Sequence, residues 1–255
     1  MKLEVSPSRE ALFEAAAERF TIAASEAIRT SGRFHLALSG GSTPRGLYAL
    51  LASDRHAARI AWSRVHVFWG DERCVGPQDP ASNQRMARET LLDHVPLPGS
   101  QVHPILGEDD PGAAAAHYEQ TLREAFATPL GPPRSAPGAR FDLVLLGLGD
   151  DGHTASLFPG SPALHEAQRW VVATQIEKLS AWRVTLTPLA INAASEVIFL
   201  VSGRAKAAIL RRVLCGPREP DRLPAQAISP REGELRWLVD DAAASALDSP
   251  QAEPS

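Results

Sequence analysis

The 255 residues predict an α/β fold, a mostly parallel sheet covered by helices on both faces. Three observations carry the expectation. Short, nearly continuous apolar runs of strand length recur along the chain, segments of helical period alternate with them, and glycine or proline marks the turns between. Strands apolar on both faces are buried on both, and right-handed crossovers then join them.

Taken in order, SREALFEAAAERFTIAASEAIRTS (8–31) reads as a long amphipathic helix, with Ser8 as N-cap and Gly32 just past its end. FHLALS is the first strand. A glycine-rich turn follows, then the helix PRGLYALLAS with Pro44 at its first position, and a second strand RVHVFWG that ends at Gly70. SNQRMARETLLDHV is helical, QVHPIL extended, and AAAAHYEQTLREAFA helical behind Asp110 as cap and Pro111 in the first turn. PLGPPRSAPGAR (129–140) is a flexible excursion rather than a linker, because the alternation continues on both sides of it. Beyond it FDLVLLG, RWVVAT, EVIFLVS and ELRWLVD read as strands, with helices LTPLAINAAS and GRAKAAILRRVL between the later ones. No internal repeat is visible. Residues 1–243 form one domain on this reading, and 244–255, which end in DSPQAEPS, a disordered tail.

Composition sets bounds on function. At 44% hydrophobic and 22% charged, the chain has ample material for a core. MKLEVSPSRE carries no apolar leader, and no stretch approaches the roughly 20 apolar residues of a membrane span, so a cytoplasmic protein is expected. Cys74 and Cys215 form no CxxC, and with His66, His94 and His103 they give no zinc spacing, so reduced thiols are expected. A net charge of -4 disfavours a nucleic-acid surface. Any anion site must therefore be local.

Open α/β sheets hold ligands outside the carboxyl ends of their strands, and four such places carry unusual residues here. After FHLALS, Gly40 and Gly41 permit close backbone approach. Ser42 and Thr43 offer hydroxyls, Arg45 a charge, and the helix behind them free N–H groups, a common phosphate cradle. After RVHVFWG, Asp71 and Arg73 alternate in GDER, with Ser82 and Asn83 further on. After FDLVLLG, GLGDDGHTASLFP sets His153 among Asp150, Asp151 and Gly152, the glycine leaving the ring open to a ligand. After EVIFLVS come Arg204 and Lys206 at a helix start. Each has a plainer reading: a capped helix, a surface ion pair, a structural histidine held by Asp150 or Asp151, a solvated charge.

In this order, over residues 33 to about 215, SGGSTPRGLY, FWGDERCV followed by SN, GLGDDGHTASLFP, RVTLT and VSGRAKAAIL resemble the 6-phosphogluconolactonase family. The resemblance implies a Rossmann-like three-layer sandwich of the sugar-phosphate isomerase/deaminase type. It also implies hydrolysis of 6-phospho-D-glucono-1,5-lactone to 6-phospho-D-gluconate, the second step of the oxidative pentose phosphate pathway, with no cofactor and no metal. The partner it implies is a small phosphorylated sugar lactone; a monomer or small homo-oligomer is expected, and charge and composition point to no nucleic-acid and no membrane partner. Gly76 stands where a proline is usual after DER, and WRVTLT lacks the usual preceding prolines.

The chemistry can be built from the residues. Water attacks a δ-lactone carbonyl once a base takes its proton and something steadies the oxyanion. An imidazole titrates near neutrality, so His153 is the candidate base and can return the proton to the ring oxygen as it leaves. Arg73 is suited to the oxyanion or the sugar hydroxyls, and Asp71 to orienting either Arg73 or the imidazole; the roles of that pair stay open. Gly40, Gly41, Ser42, Thr43, Arg45 and Lys206 are candidates for the phosphate, with Asp151 and Gly152 shaping the turn beneath the ligand and Arg183 and Arg204 as further cations.

Three rival readings each meet a feature of the sequence that speaks against them. Deaminase relatives carry a motif like DGHIAFNEP, and the position of its glutamate is Phe158 here. ALSGG approximates a nucleophile elbow around Ser39, but with the helix expected to begin only at Pro44 the serine misses the sharp corner. A sugar-phosphate sensor would need a helix-turn-helix ahead of the sheet, and residues 1–31 offer one helix.

Overall fold

In the computed structural model, which describes residues 1–127, 140–176 and 180–247, six strands form one parallel sheet in the order β1-β9-β8-β5-β2-β3. They are β1 (Lys2–Ser6), β2 (Phe34–Leu38), β3 (Val65–Trp69), β5 (Leu143–Leu146), β8 (Glu196–Val201) and β9 (Glu234–Asp240). The three central strands β2, β5 and β8 are buried along their whole length, as their apolar runs require. Glu196 is the charged exception at the foot of β8. Arg19 grips its carboxylate with Nε at 2.7 Å and Nη2 at 2.8 Å, and Arg236 Nε lies 2.6 Å away, so the charge is paired where it is buried.

Helices flank the sheet. The first, α1 (Arg9–Ser31), begins where Ser8 accepts from Ala11 N at 3.2 Å and ends at Gly32, whose φ of 77° is the left-handed stop that glycine supplies. Next come α2 (Ser42–Leu51) and α3 (Asp54–Ala57), then α4 (Asn83–Thr90), whose N-cap Ser82 accepts from Arg85 N at 3.1 Å, and α5 (Pro111–Ala127). The later helices are α6 (Pro188–Ile191), α7 (Ala207–Cys215) and α8 (Asp241–Ala244).

The structure departs from the sequence reading in several places. Residues 2–6 form a strand, unread because an edge strand that is exposed shows no apolar run. RWVVAT does not join the main sheet. It becomes β6 (Val171–Ile176) of a separate antiparallel sheet, ordered β4-β7-β6, with β7 (Ala181–Leu186) and β4 (Asp71–Arg73). QVHPIL makes a single bridge, Val67 to Val102. The segment LTPLAINAAS gives only the one turn of α6, because the Asn192 side chain bonds to Ala227 O and Ser229 N instead of supporting a longer helix. Arg204–Lys206 is a 3₁₀ turn ahead of α7. At the far end, Ala244 closes α8 and Leu247 packs on the core, so the ordered chain extends past 243. The excursion expected at 129–140 falls almost wholly, and the last eight residues fall wholly, outside the described residues.

Candidate active site

Strand order decides which loops meet. β5 lies between β8 and β2, so the turns that leave these three strands adjoin at their carboxyl ends. The turn after β5 is tight: Gly149 N donates to His153 O at 2.8 Å and Gly152 N to Gly149 O at 3.0 Å. A Cβ on Gly149 would stand 2.0 Å from His153 Nδ1, so the ring lies against bare backbone. The expectation for Gly152 is corrected by this geometry. Its φ is +83°, a Cβ there would meet Leu223 at 2.9 Å, and its carbonyl accepts from Ala225 N, so Gly152 packs inward while Gly149 makes room for the ring.

His153 is held at one edge and stacked on one face. Its Nδ1 lies 2.5 Å from Asp151 Oδ1, which also accepts from His153 N at 3.2 Å, and its ring stacks on Phe158 at 4.1 Å between centroids. In the tautomer that donates Nδ1–H to this carboxylate, the Nε2 lone pair is the one left for a ligand. The ring borders a cleft of about 490 Å³, within the range of small-ligand sites. Asp150, Asp151, Ala155, Ser156 and Phe158 line it from the same loop. Ala155, at φ 49°, adopts the left-handed region without being glycine, a local strain of the kind found at ligand sites.

The opposite wall comes from the small sheet, as Asp71, Arg73 and Arg183. Antiparallel pairing of β4 with β7 sets Arg73 across from Arg183 and Asp71 across from Thr185. Asp71 takes neither partner considered from the sequence. Its Oδ2 accepts from Ser156 Oγ at 2.7 Å, and Asn83 Nδ2 reaches its main-chain carbonyl at 2.9 Å and its Oδ1 at 3.4 Å. Arg73 Nη1 donates to the Ala81 carbonyl, while the buried Nε of Arg73 and that of Arg183 find no partner among the described residues. Burial, with the Arg73 charge beside it, holds the Arg183 guanidinium below its ordinary range. Two crowded cations with unspent donors favour an anionic or hydroxyl-rich guest.

Between Asp71 and Arg73, Glu72 turns away and is buried. Its carboxylate accepts from Asn83 N, Gln84 N, Ser82 Oγ and Arg73 N at 2.7–3.0 Å, fastening the start of α4 to β4; burial pushes its pKa up against these bonds. Gly40 completes the support, since a Cβ there would lie 1.9 Å from Asn83 Oδ1.

The cleft thus gathers Asp71, Arg73, Asp151, His153 and Arg183 of the residues singled out from the sequence. Gly40, Gly41, Ser42, Thr43, Arg45, Arg204 and Lys206 do not line it. α2 starts at Ser42, two residues earlier than expected, with Gly41 at φ 106° as N-cap and no side chain capping its leading N–H groups. Arg45 reaches Glu89 at 3.7 Å, Arg204 is exposed, and Lys206 Nζ lies 2.5 Å from Asp150 Oδ1 at the cleft margin. Ser156 and Phe158 are members the sequence reading did not assign. Both follow His153 within five residues, and the Thr154–Leu157 bridge folds them back beside it. Among the described residues, no three His, Cys, Asp or Glu side chains group as metal ligands would.

A family model described as glucosamine-6-phosphate isomerases/6-phosphogluconolactonase matches residues 7–237. A 6-phosphogluconolactonase of Nostoc sp. is 42% identical over 248 residues, covering 96% of this chain and 98% of that protein. The solved 6-phosphogluconolactonase from Trypanosoma cruzi superposes with a TM-score of 0.81 at 31% identity, covering 97% of each chain. A monomeric glucosamine-6-phosphate deaminase gives a TM-score of 0.78 at 23% identity, covering 96% of this chain and 100% of its own, a likeness of fold alone.

Proposed function

Because the chain belongs to the glucosamine-6-phosphate isomerase/6-phosphogluconolactonase family, we propose that it hydrolyses 6-phospho-D-glucono-1,5-lactone to 6-phospho-D-gluconate, with His153 as the base that activates water. The enzyme is a carboxylic ester hydrolase acting on a lactone in the pentose phosphate pathway. The observation that carries the residue assignment is the Asp151–His153 pair, at 2.5 Å on the wall of a cleft whose other wall holds Arg73 and Arg183. Asp151 keeps the proton on Nδ1, so Nε2 takes one from water as it adds to the carbonyl. The imidazolium that forms is steadied by the same carboxylate and returns its proton to the departing ring oxygen. Arg73, with Arg183 beside it, faces the developing oxyanion and the sugar hydroxyls, and Asp71, locked by Ser156 and Asn83, fixes the geometry of that wall.

The phosphate belongs, on this reading, between the uncapped N–H groups of Ser42 and Thr43 and the ammonium of Lys206, which exchanges Asp150 for it. β2 and β8 flank β5, so the two helix starts border the loop that carries His153. Gly40 and Gly41 let the backbone approach, with Arg45 and Arg204 as outer charges. The deaminase reading is disfavoured by Phe158, a phenyl ring on the imidazole where those relatives' motif has a glutamate. We place the enzyme in the cytoplasm, as a single domain acting as a monomer or small homo-oligomer. No helix among the described residues is long and apolar enough to cross a membrane.

The test is acid release from freshly made 6-phosphogluconolactone above the spontaneous rate, followed for wild type and Lys206→Ala and repeated with plain gluconolactone. Loss of kcat/KM confined to the phosphorylated substrate supports the phosphate assignment, and equal loss on both overturns it. Turnover of glucosamine 6-phosphate without lactonase activity would overturn the reaction itself.

A further inference from the structure

The chain has two tyrosines, Tyr48 and Tyr118, both fully buried, and both hydroxyls do the same thing. Tyr48 OH accepts from Ser39 N at 2.9 Å and donates to Ser39 O at 2.9 Å. Tyr118 OH accepts from Trp69 N at 2.7 Å and donates to Trp69 O at 2.9 Å. A phenol carries one hydrogen and spare lone pairs, so it can satisfy the N–H and the C=O of one residue together.

The two clasped residues sit at strand ends that launch the site. The β2–β5 ladder runs through Leu36–Leu143 and Ala37–Val144, and Tyr48 OH takes up the main-chain groups of Ser39 just beyond it. The next residues are Gly40, pressed against Asn83, and Gly41, the N-cap of α2. Tyr48 is itself on α2, so the helix is tied back to the strand that feeds it. On the outer edge of β3, Val65 O accepts from Gln101 Nε2, Val67 O from His103 N, and Trp69 completes the series through Tyr118. Two residues after Trp69 comes Asp71. Burial and the nearby Asp71 carboxylate push the Tyr48 phenol up, and burial with Glu72 does the same for Tyr118, so both remain protonated donors.

We propose that Tyr48 and Tyr118 are positioning residues of the lactonase, Tyr48 setting the phosphate turn at Gly40–Thr43 and Tyr118 setting the Asp71–Arg73 wall. The proposal rests on the reading of the site given above. Its content is a division of labour: the two clasps control different ends of the substrate.

Tyr48→Phe and Tyr118→Phe keep the ring and remove the hydroxyl. For Tyr48→Phe, KM for 6-phosphogluconolactone and the inhibition constant of inorganic phosphate should both rise roughly tenfold, with kcat near wild type. A displacement of about an ångström is enough for effects up to about 100-fold. For Tyr118→Phe, kcat should fall roughly tenfold while the phosphate inhibition constant stays within about twofold. Neither KM nor an inhibition constant depends on the fraction of enzyme that is folded, so partial unfolding does not mimic the Tyr48→Phe result, and for Tyr118→Phe kcat is expressed per folded enzyme, counted by near-ultraviolet circular dichroism. Should a variant fail to fold, uniform 3-fluorotyrosine labels these two sites alone, weakening each phenol as an acceptor with the ring in place. A changed phosphate inhibition constant in that protein supports the Tyr48 clasp. Unchanged constants in every folded form, or equal loss of kcat and affinity from both variants, overturn the proposal. Absence of lactonase activity in wild type would instead strike the functional reading, which the same assay reports separately.

Discussion

Asp151→Asn isolates the carboxylate behind the histidine while keeping its size. Asp151 Oδ1 accepts from His153 Nδ1 at 2.5 Å and from His153 N at 3.2 Å, and the asparagine oxygen can occupy the same point. What changes is the charge opposite an imidazole that becomes a cation in the transition state. A hydrogen bond with an ionised partner contributes about 1.5–3 kcal/mol and a neutral one about 0.5–1.5, so the variant loses roughly 1–2 kcal/mol of transition-state stabilisation. Both side chains are about 30% exposed, which screens the charge and places the loss toward the lower end. At about 1.4 kcal/mol per decade, kcat should fall about 5- to 30-fold. KM should change little, because the carboxylate is separated from the substrate by the ring it holds. His153→Ala should cost more, about 10²- to 10⁴-fold in kcat, as the base itself is gone. The assay is initial-rate acid release at pH 7 with near-ultraviolet circular dichroism to confirm folding, on both single variants and the double variant. If Asp151 contributes to the reaction through the ring, the double variant should be no slower than His153→Ala alone. An Asp151→Asn enzyme within twofold of wild type, or losses that simply add in the double variant, would refute the orientation argument.

Gly40→Ala should cost roughly 1–3 kcal/mol and lower kcat, because its Cβ would overlap Asn83 Oδ1 and free Asp71 from Asn83; urea melts and kinetics should show that adding Asn83→Ala makes matters no worse than Asn83→Ala alone. Ser39→Ala should leave activity within about twofold and stability equal or improved, since Ser39 Oγ is buried without a partner among the described residues, and stoichiometric labelling of wild-type Ser39 by a fluorophosphonate would instead establish a covalent mechanism. His103, 3.2 Å from His66 Nδ1, has its pKa lowered to about 4 by burial and by the neighbouring imidazole. Between that value and the usual one near 6.5 the unfolded chain binds more protons, so His103 contributes stability above about pH 6.5 that is lost as pH falls toward 4. Denaturation midpoints of wild type and His103→Gln at pH 7, 5.5 and 4.5 should converge on acidification, and a constant gap would contradict this.

Much of the fold was legible because it depends on local pattern. Fully buried strands have to be apolar throughout, so β2, β5 and β8 announce themselves, and Ser8 and Gly32 mark the limits of α1 through backbone needs that one residue meets. The candidate catalytic and phosphate-binding residues were legible for a related reason. In a parallel sheet every functional loop follows a strand end, so finding the strands locates Asp71, Arg73, His153 and Lys206. What each residue binds was not legible, because partners separated by tens of residues meet only through strand order and register. β1 gave no signal, since an exposed edge needs no apolar run, and nothing in RWVVAT tells a strand of the main sheet from one of the small sheet. Asp71 was expected to orient Arg73 or the imidazole, yet the β4–β7 register and the fold of the His153 loop deliver it to Ser156 and Asn83. Gly152 was expected to open the way to the ring, but that depends on which side of the turn faces Leu223, and Gly149 makes the room instead. The sequence by itself determined the alternating architecture and the chemical inventory at the strand ends. Tertiary structure decided the pairing of that inventory, because hydrogen-bond partners and burial are set by distances in space that local periodicity does not encode.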